Sequence, residues 1–255
     1  MSRRVGGPAV TLPEGVYEHL VTEELARHLE AATGIARLIE PLDDADAQAT
    51  FARHVGSVVA RALSGLSAAG ADELIRKVLD HLAGLVGEDL AELVRDQRLQ
   101  PPPSRLMAVH RGAVPDRPTS PLATSTLLTR KRLDPTLGHE LAREIATADE
   151  VDAIIAFVTV GGVRAIHDAL HDFARRAAPK LRLLTTTFTG TTEVAALDTF
   201  ARLPGAQVRV SYDTRRTRLH AKAWLFRRNS GLTTAYIGSA NLTSTALGAG
   251  QEWMV

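Results

Sequence analysis

The chain has no cysteine, which excludes disulfides and thiolate metal sites. Aromatic residues are scarce, at 4% of the 255 positions, so a membrane-seeking aromatic cluster is not expected. No apolar run is long enough to span a bilayer, and no secretory signal opens the sequence. These absences point to a cytoplasmic protein with no membrane partner. Charge of one sign is also missing: the formal net charge is +1, so binding to a polyanion must rest on a local basic patch. Lysine is rare in a chain that strongly prefers arginine, occurring only at Lys77, Lys131, Lys180 and Lys222. A lysine inside an apolar strand of such a chain stands out as functional. What is plentiful is hydrophobic residues, at 45%, enough for one large or two small domains.

Residues 1–97 read as a helical region. From about Glu14 to Val94 the apolar residues recur at helical spacing, beginning with Val16, Leu20 and Leu29 after Pro13. Val55, Val58, Val59, Ala62, Leu63 and Leu66 predict one amphipathic helix, and Leu74, Val78, Leu82 and Leu85 another, weakened near its end by Gly84 and Gly87. Asp43, Asp44 and Asp46 are expected to form an acidic loop between helices. The region carries no catalytic constellation and reads as a packing or partner-docking module. Pro101, Pro102, Pro103, Pro115, Pro118 and Pro121 make residues 98–123 an extended linker.

Residues 124–255 alternate between strand and helix, which predicts an α/β domain. Helices are expected over 137–148, 162–177 and 192–203, with strands over 151–160, 181–187 and 208–212. Connections of this length imply right-handed crossovers and a largely parallel sheet covered on both faces. A terminal hairpin adds strands of the opposite direction and makes the sheet mixed. Two features within this region carry competing readings. His167 and His171 have zinc-helix spacing, but Leu170 is a core position and no third ligand is apparent, so a solvated flank is preferred. The threonines at 185, 186, 187, 189, 191 and 192 could line a phosphate site, yet threonine is also a good strand former and helix cap.

The hairpin organises the functional reading. Leu219 to Phe226 and Ala235 to Asn241 are two apolar runs around Arg228-Asn229-Ser230-Gly231, a turn sequence. Side chains alternate faces in a strand, so His220 and Lys222 share one. A turn centred between Ser230 and Gly231 sets His220 opposite Asn241 and Lys222 opposite Ser239. An imidazole, an ammonium, a hydroxyl and an amide then converge: an anion site with a nucleophile in it. A helix starting at Asn241 would aim free N–H groups at the same anion, and Glu252 is a carboxylate able to hold the His220 Nδ1–H. Arg215, Arg216 and Arg218 flank the mouth, either as a solvated edge or as contacts to neighbouring phosphates.

His220-x-Lys222 followed by Gly238-Ser239-x-Asn241 and Glu252 resembles the HxK…GSxN…E signature of the phospholipase D superfamily. The longer run from Leu127-Leu128-Thr129 through Gly138-His139-Glu140-Leu141 to Glu252-Trp253 is similar to the phospholipase D-like domain at the N-terminus of bacterial superfamily II helicases. The opening from Leu12 to Leu20 is similar to the start of those proteins. One departure is Arg227, which stands where the superfamily usually has Asp. The resemblance implies a phosphodiesterase that needs no metal or other cofactor and acts on nucleic acid, DNA before RNA. In it His220 attacks phosphorus, Lys222, Ser239 and Asn241 hold the non-bridging oxygens, and Glu252 orients His220. Because only His220 stands in an H-x-K pattern, a homodimer sharing one site is expected to supply the second imidazole. The chain is also expected to be the front of a longer polypeptide that continues into a helicase motor. Two rivals are a non-catalytic phosphate- or DNA-binding docking module, supported by Arg227 and the missing second motif, and a lipid phosphodiesterase.

Overall fold

A computed structural model describes residues 19–32, 36–109, 116–129, 135–216 and 218–255. The expectations resting on Pro13, Val16, Pro115 and the opening run 12–18 lie outside these residues. The chain divides into two compact units, Met1–Arg105 and Leu106–Val255.

The first unit contains α1 (Glu23–Ala31), α2 (Asp44–Leu63), α3 (Ala68–Leu85) and α4 (Glu88–Arg95). The acidic triplet is a helix start and not a loop. The Asp43 carboxylate accepts the Ala45 N–H at 2.9 Å as the cap of α2, while Asp44 and Asp46 sit in the first turn. The physical reason is that negative charge is favoured against the exposed N–H groups and positive dipole end of a helix. Among the described residues, Ala83 and Ala91 are the buried hydrophobics of this unit, and Phe51, Val55 and Val58 leave the apolar face of α2 exposed.

The second unit is built on a five-stranded mixed sheet in the order β3-β2-β1-β4-β5. The strands are β1 (Glu150–Ile155), β2 (Lys180–Thr186), β3 (Ala206–Ser211), β4 (Lys222–Arg227) and β5 (Thr233–Ile237). β1, β2 and β3 run parallel, and β4 joins β1 and β5 antiparallel. The helices are α5 (Leu137–Thr147), α6 (Val160–Ala165), α7 (His167–Ala174), α8 (Val194–Ala201) and α9 (Ser244–Leu247). The single helix expected over 162–177 is thus two, broken at Ile166 (φ −122°, ψ 15°). The break brings Val163 and Ile166 into the same core as Leu170 and Phe173. α6 also crosses very close to the chain at Leu242, where a Cβ on Gly162 would lie 2.0 Å from the Leu242 carbonyl oxygen.

The core lies on one face of the sheet. Val151, Ala153 and Ile155 of β1, Leu181 and Leu183 of β2, Trp224 and Phe226 of β4 and Tyr236 of β5 are buried in one cluster with helix residues such as Leu141, Phe173 and Phe200. The expected cover on both faces is corrected. Glu150 opens β1 and Asp152 stands between its apolar residues; with Lys180, Arg182 and Arg227 they form an ion-pair network on the other face. Alternation, and not a continuous apolar run, is the pattern of a strand with one solvated face. Burial pushes the Asp152 carboxyl up, but hydrogen bonds from Arg182 and Arg227 outweigh this and leave it below the usual range.

The end of the proline-rich stretch is tied to this unit. Glu140, fully buried on α5, accepts the N–H groups of Thr119 at 3.1 Å and Ser120 at 2.9 Å, and Arg143 donates to the Arg117 carbonyl at 2.8 Å. Among the described residues no helix is long and apolar enough to cross a membrane.

Candidate active site

The parallel strands end on one side of the sheet, where open α/β sheets bind ligands. Lys222 is the first residue of β4 and pairs with Ile155, the last residue of β1. Its side chain shares the core face with Trp224 and Phe226, and the residue is only 7% exposed. The ammonium lies 2.7 Å from His220 Nδ1 and 3.0 Å from Nε2, and donates to the His220 carbonyl at 2.7 Å. Burial holds the Lys222 pKa below its ordinary value, and the nearby Glu252 charge offsets part of that. His220 itself is exposed, just before the strand begins. Phe157 packs edge-on against its ring at 5.5 Å between centroids, and the Lys222 ammonium is 5.9 Å from the Phe157 ring.

The hairpin register differs by one residue from the expected one. Ala223 pairs with Ile237 and Trp224 with Tyr236, with Gly231 in the connection at φ +88°. Lys222 therefore faces Gly238, whose N–H donates to its carbonyl at 3.2 Å. A slip of one would have put Ser239 and Asn241 on the wrong face of a regular strand. They reach the site region because β5 stops at Ile237 and the chain turns away.

Each is then fixed by side-chain bonds. Asn241 accepts the Phe157 N–H at 3.1 Å through Oδ1, so only its NH2 end can donate to an anion. The Ser239 hydroxyl donates to Glu252 and accepts the Trp253 N–H at 3.1 Å. Glu252 thus bonds to Ser239, and no hydrogen bond joins it to His220; the expected Glu252–His220 pair is replaced. The helix expected from Asn241 also begins later, at Ser244, with Thr243 taking the Ala246 N–H at 3.2 Å.

Gly238 has a plain steric purpose. The end segment pairs antiparallel with the end of β5, through Ile237 and Val255 at 2.9 and 3.0 Å. A Cβ at Gly238 would lie 2.0 Å from the Trp253 carbonyl oxygen. Gly238→Ala is expected to force this segment away and loosen Ser239 and Glu252. The check is faster backbone amide exchange at Ser239 and Val255 than at the central strand β1; unchanged protection would refute it.

Arg227 sits at the far end of β4, five residues from Lys222 or about 16 Å, on the opposite face. Its guanidinium bonds to Asp152. The residue that departs from the superfamily pattern is therefore remote from His220.

Arg215, Arg216 and Arg218 are exposed in the turn that leads to His220. The Asp213 carboxylate holds that turn by accepting the N–H groups of Arg215 at 3.1 Å and Arg216 at 2.8 Å. Arg218 lies over the Phe188 ring at 5.7 Å. The buried Thr185 and Thr186 and the half-buried Thr192 are structural: Thr185 and Thr192 donate to the Ala156 carbonyl at 3.1 and 3.2 Å, and Thr186 to that of Ser211 at 3.1 Å. His167 and His171 are exposed and stacked at 6.0 Å, and no group of three or more metal-ligating side chains occurs among the described residues. Phe157 is the site residue that sequence reasoning missed. It lies in an apolar run with no motif, and only the fold sets it against His220.

Residues 187–255 match the family model described as the NgoFVII restriction endonuclease N-terminal PLD domain. The matched span includes β3, β4, β5 and every residue from His220 to Glu252 discussed above. No curated protein matches the chain.

Proposed function

We infer, from the match of residues 187–255 to a phospholipase D domain of a restriction endonuclease and from the site geometry, that this chain cleaves phosphodiester bonds of nucleic acid, DNA in particular, through a phosphohistidine. The observation that carries this reading is the buried Lys222 ammonium within 3.0 Å of both nitrogens of the exposed His220 ring. A fixed cation next to an accessible nucleophile is what attack on a phosphodiester requires, since the anion must be held and its charge offset as the new bond forms.

In the proposed reaction a His220 nitrogen attacks phosphorus and the bond to the leaving oxygen breaks. That oxygen takes a proton from a second imidazole. The same imidazole then removes a proton from water, which attacks phosphorus and releases His220. Lys222 and the Asn241 NH2 group hold the non-bridging oxygens. Ser239 contributes its hydroxyl when released from Glu252, whose charge offsets part of the burial that lowers the Lys222 pKa. Arg215, Arg216 and Arg218 bind the phosphates on either side.

One imidazole cannot stand on both sides of the phosphorus. A two-fold axis through the site would bring His220 of the partner subunit opposite, making the active form a homodimer. A helicase motor later in a longer polypeptide is proposed on the sequence resemblance alone. The alternative is a phosphate- or DNA-docking module, supported by Arg227, which bonds to Asp152, and by the single H-x-K motif.

The test is cleavage of DNA in excess EDTA by wild-type chains mixed with increasing amounts of His220→Ala chains. Cleavage should persist in the chelator and fall more steeply than dilution. Activity restored only by Mg²⁺ would refute the metal-independent mechanism; a linear fall would refute the shared site.

A further inference from the structure

Two loops leave the ends of β2 and β3 and pack together on the side of the sheet where Lys222 and His220 lie. The first, after β2, contains Phe188, with its N–H held by Thr186 Oγ1 at 3.0 Å. The second, after β3, opens with Tyr212 and runs through the arginines to His220. They are bonded together where they start, by Thr187 N–H to the Ser211 carbonyl at 3.1 Å, and touch again where Arg218 covers Phe188. Each holds a non-glycine residue at positive φ, Thr189 at 70° and Arg218 at 37°. Such backbone is unfavourable for these residue types and persists where the surroundings enforce it, commonly at ligand sites.

The distribution of aromatic rings adds a second observation. Phe173, Phe200, Trp224, Phe226 and Tyr236 are buried in the core of the second unit, whereas Tyr212 is 77% exposed. Trp253 is also exposed, at 53%, but of the two exposed rings of this unit Tyr212 is the barer and the one directly beside the basic turn. Tyr212 follows the end of β3, three strand positions from β4, which puts it about 14 Å across the sheet from Lys222.

We propose that these two loops seat an unpaired nucleobase close to the scissile phosphate, the base lying flat on Tyr212 while Arg215 and Arg216 hold the adjoining backbone. The proposal rests on the nuclease reading and deepens it, because it names the substrate class. In a duplex the faces of the bases are covered by their neighbours, so only single-stranded or locally opened nucleic acid can offer a face to the ring. Stacking is tolerant of base identity, so the selectivity is for strandedness and not for sequence. Thr189 and Thr191, whose hydroxyls bond to each other at 2.9 Å, stand exposed in the first loop.

The experiment measures binding by fluorescence anisotropy with the full chain carrying His220→Ala, so that bound strands are not consumed. The probes are labelled oligothymidylate and an abasic oligomer of equal length, which has the phosphates without the bases. Tyr212→Ala should weaken oligothymidylate binding by about five- to a hundredfold and leave the abasic oligomer unaffected. Tyr212→Phe should bind like the parent. Arg215→Gln with Arg216→Gln should weaken both probes and flatten the salt dependence. Equal effects of Tyr212→Ala on the two probes, or none on either, would overturn the proposal. Cleavage by chains with His220 intact is followed in parallel. No cleavage together with a base-dependent Tyr212 effect refutes only the nuclease reading. Cleavage without that effect refutes only the platform.

Discussion

Lys222→Ala is expected to lower DNA turnover by about two to three orders of magnitude, the usual consequence of losing one donor that stabilises transition-state charge. Asn241→Ala should act in the same range through its NH2 group. His220→Ala should abolish turnover and leave DNA binding almost intact, since the arginine turn is untouched. Single-turnover rates and binding constants measured on the same substrate separate the two; equal loss of binding in all three variants would support a phosphate-docking site instead. The pH profile carries further information. Burial lowers the Lys222 pKa, so the ammonium is lost at lower pH than an ordinary lysine would lose it, and activity should fall on the alkaline side before that point. The sign for stability is opposite. Between the folded pKa and the ordinary lysine value the unfolded chain binds more protons, so stability rises with pH through that window. At neutral pH the charged Lys222 therefore opposes folding, and Lys222→Met should raise the melting temperature while removing activity. A lower melting temperature for Lys222→Met would contradict this account.

Arg228→Ala is the substitution expected to cost the second unit most stability. Arg228 and Glu144 form an ion pair whose side chains are only 7% and 0% exposed. The guanidinium also donates to Thr147 Oγ1 at 2.8 Å and Thr234 Oγ1 at 3.2 Å, and Thr234 donates to Glu144 at 2.8 Å. Tyr236 lies in the same cluster; burial first, then the Glu144 and Glu140 charges, push its hydroxyl far above the ordinary tyrosine range. Deleting the guanidinium leaves a carboxylate buried without its counter-ion, a loss of about 3–5 kcal/mol. Replacing both partners, as Arg228→Met with Glu144→Leu, should recover most of it, because neither charge is then stranded. Denaturant unfolding followed by the fluorescence of the buried Trp224 measures both variants. A loss below about 1 kcal/mol for Arg228→Ala would mean that water reaches the carboxylate.

Much of this molecule is written locally. The spacing of Val163, Ile166, Leu170 and Phe173 identifies a helical apolar face, and the alternation around Trp224 and Phe226 identifies a strand, because side-chain direction follows backbone period. The same rule assigns Glu150 and Asp152 to a solvated face when the alternation of β1 is followed residue by residue. His220, Lys222, Ser239 and Asn241 are recognisable because their spacing is a chemical pattern within one hairpin. What sequence could not fix is whatever depends on contacts between distant segments. The hairpin register, one residue from the expected one, is joined by the pairing of Trp253 to Val255 with the end of β5. The Ser239–Glu252 bond, too, joins residues far apart, one in the hairpin and one in the end segment. Phe157 reaches His220 only through the antiparallel pairing of β1 with β4, whereas the distance of Arg227 from His220 already follows from its place along β4. Composition and period determine which elements form and which residues could do chemistry; the tertiary structure decides which of them meet, since a hydrogen bond or a steric limit such as Gly238 against Trp253 acts across a few ångströms of space and not along the chain.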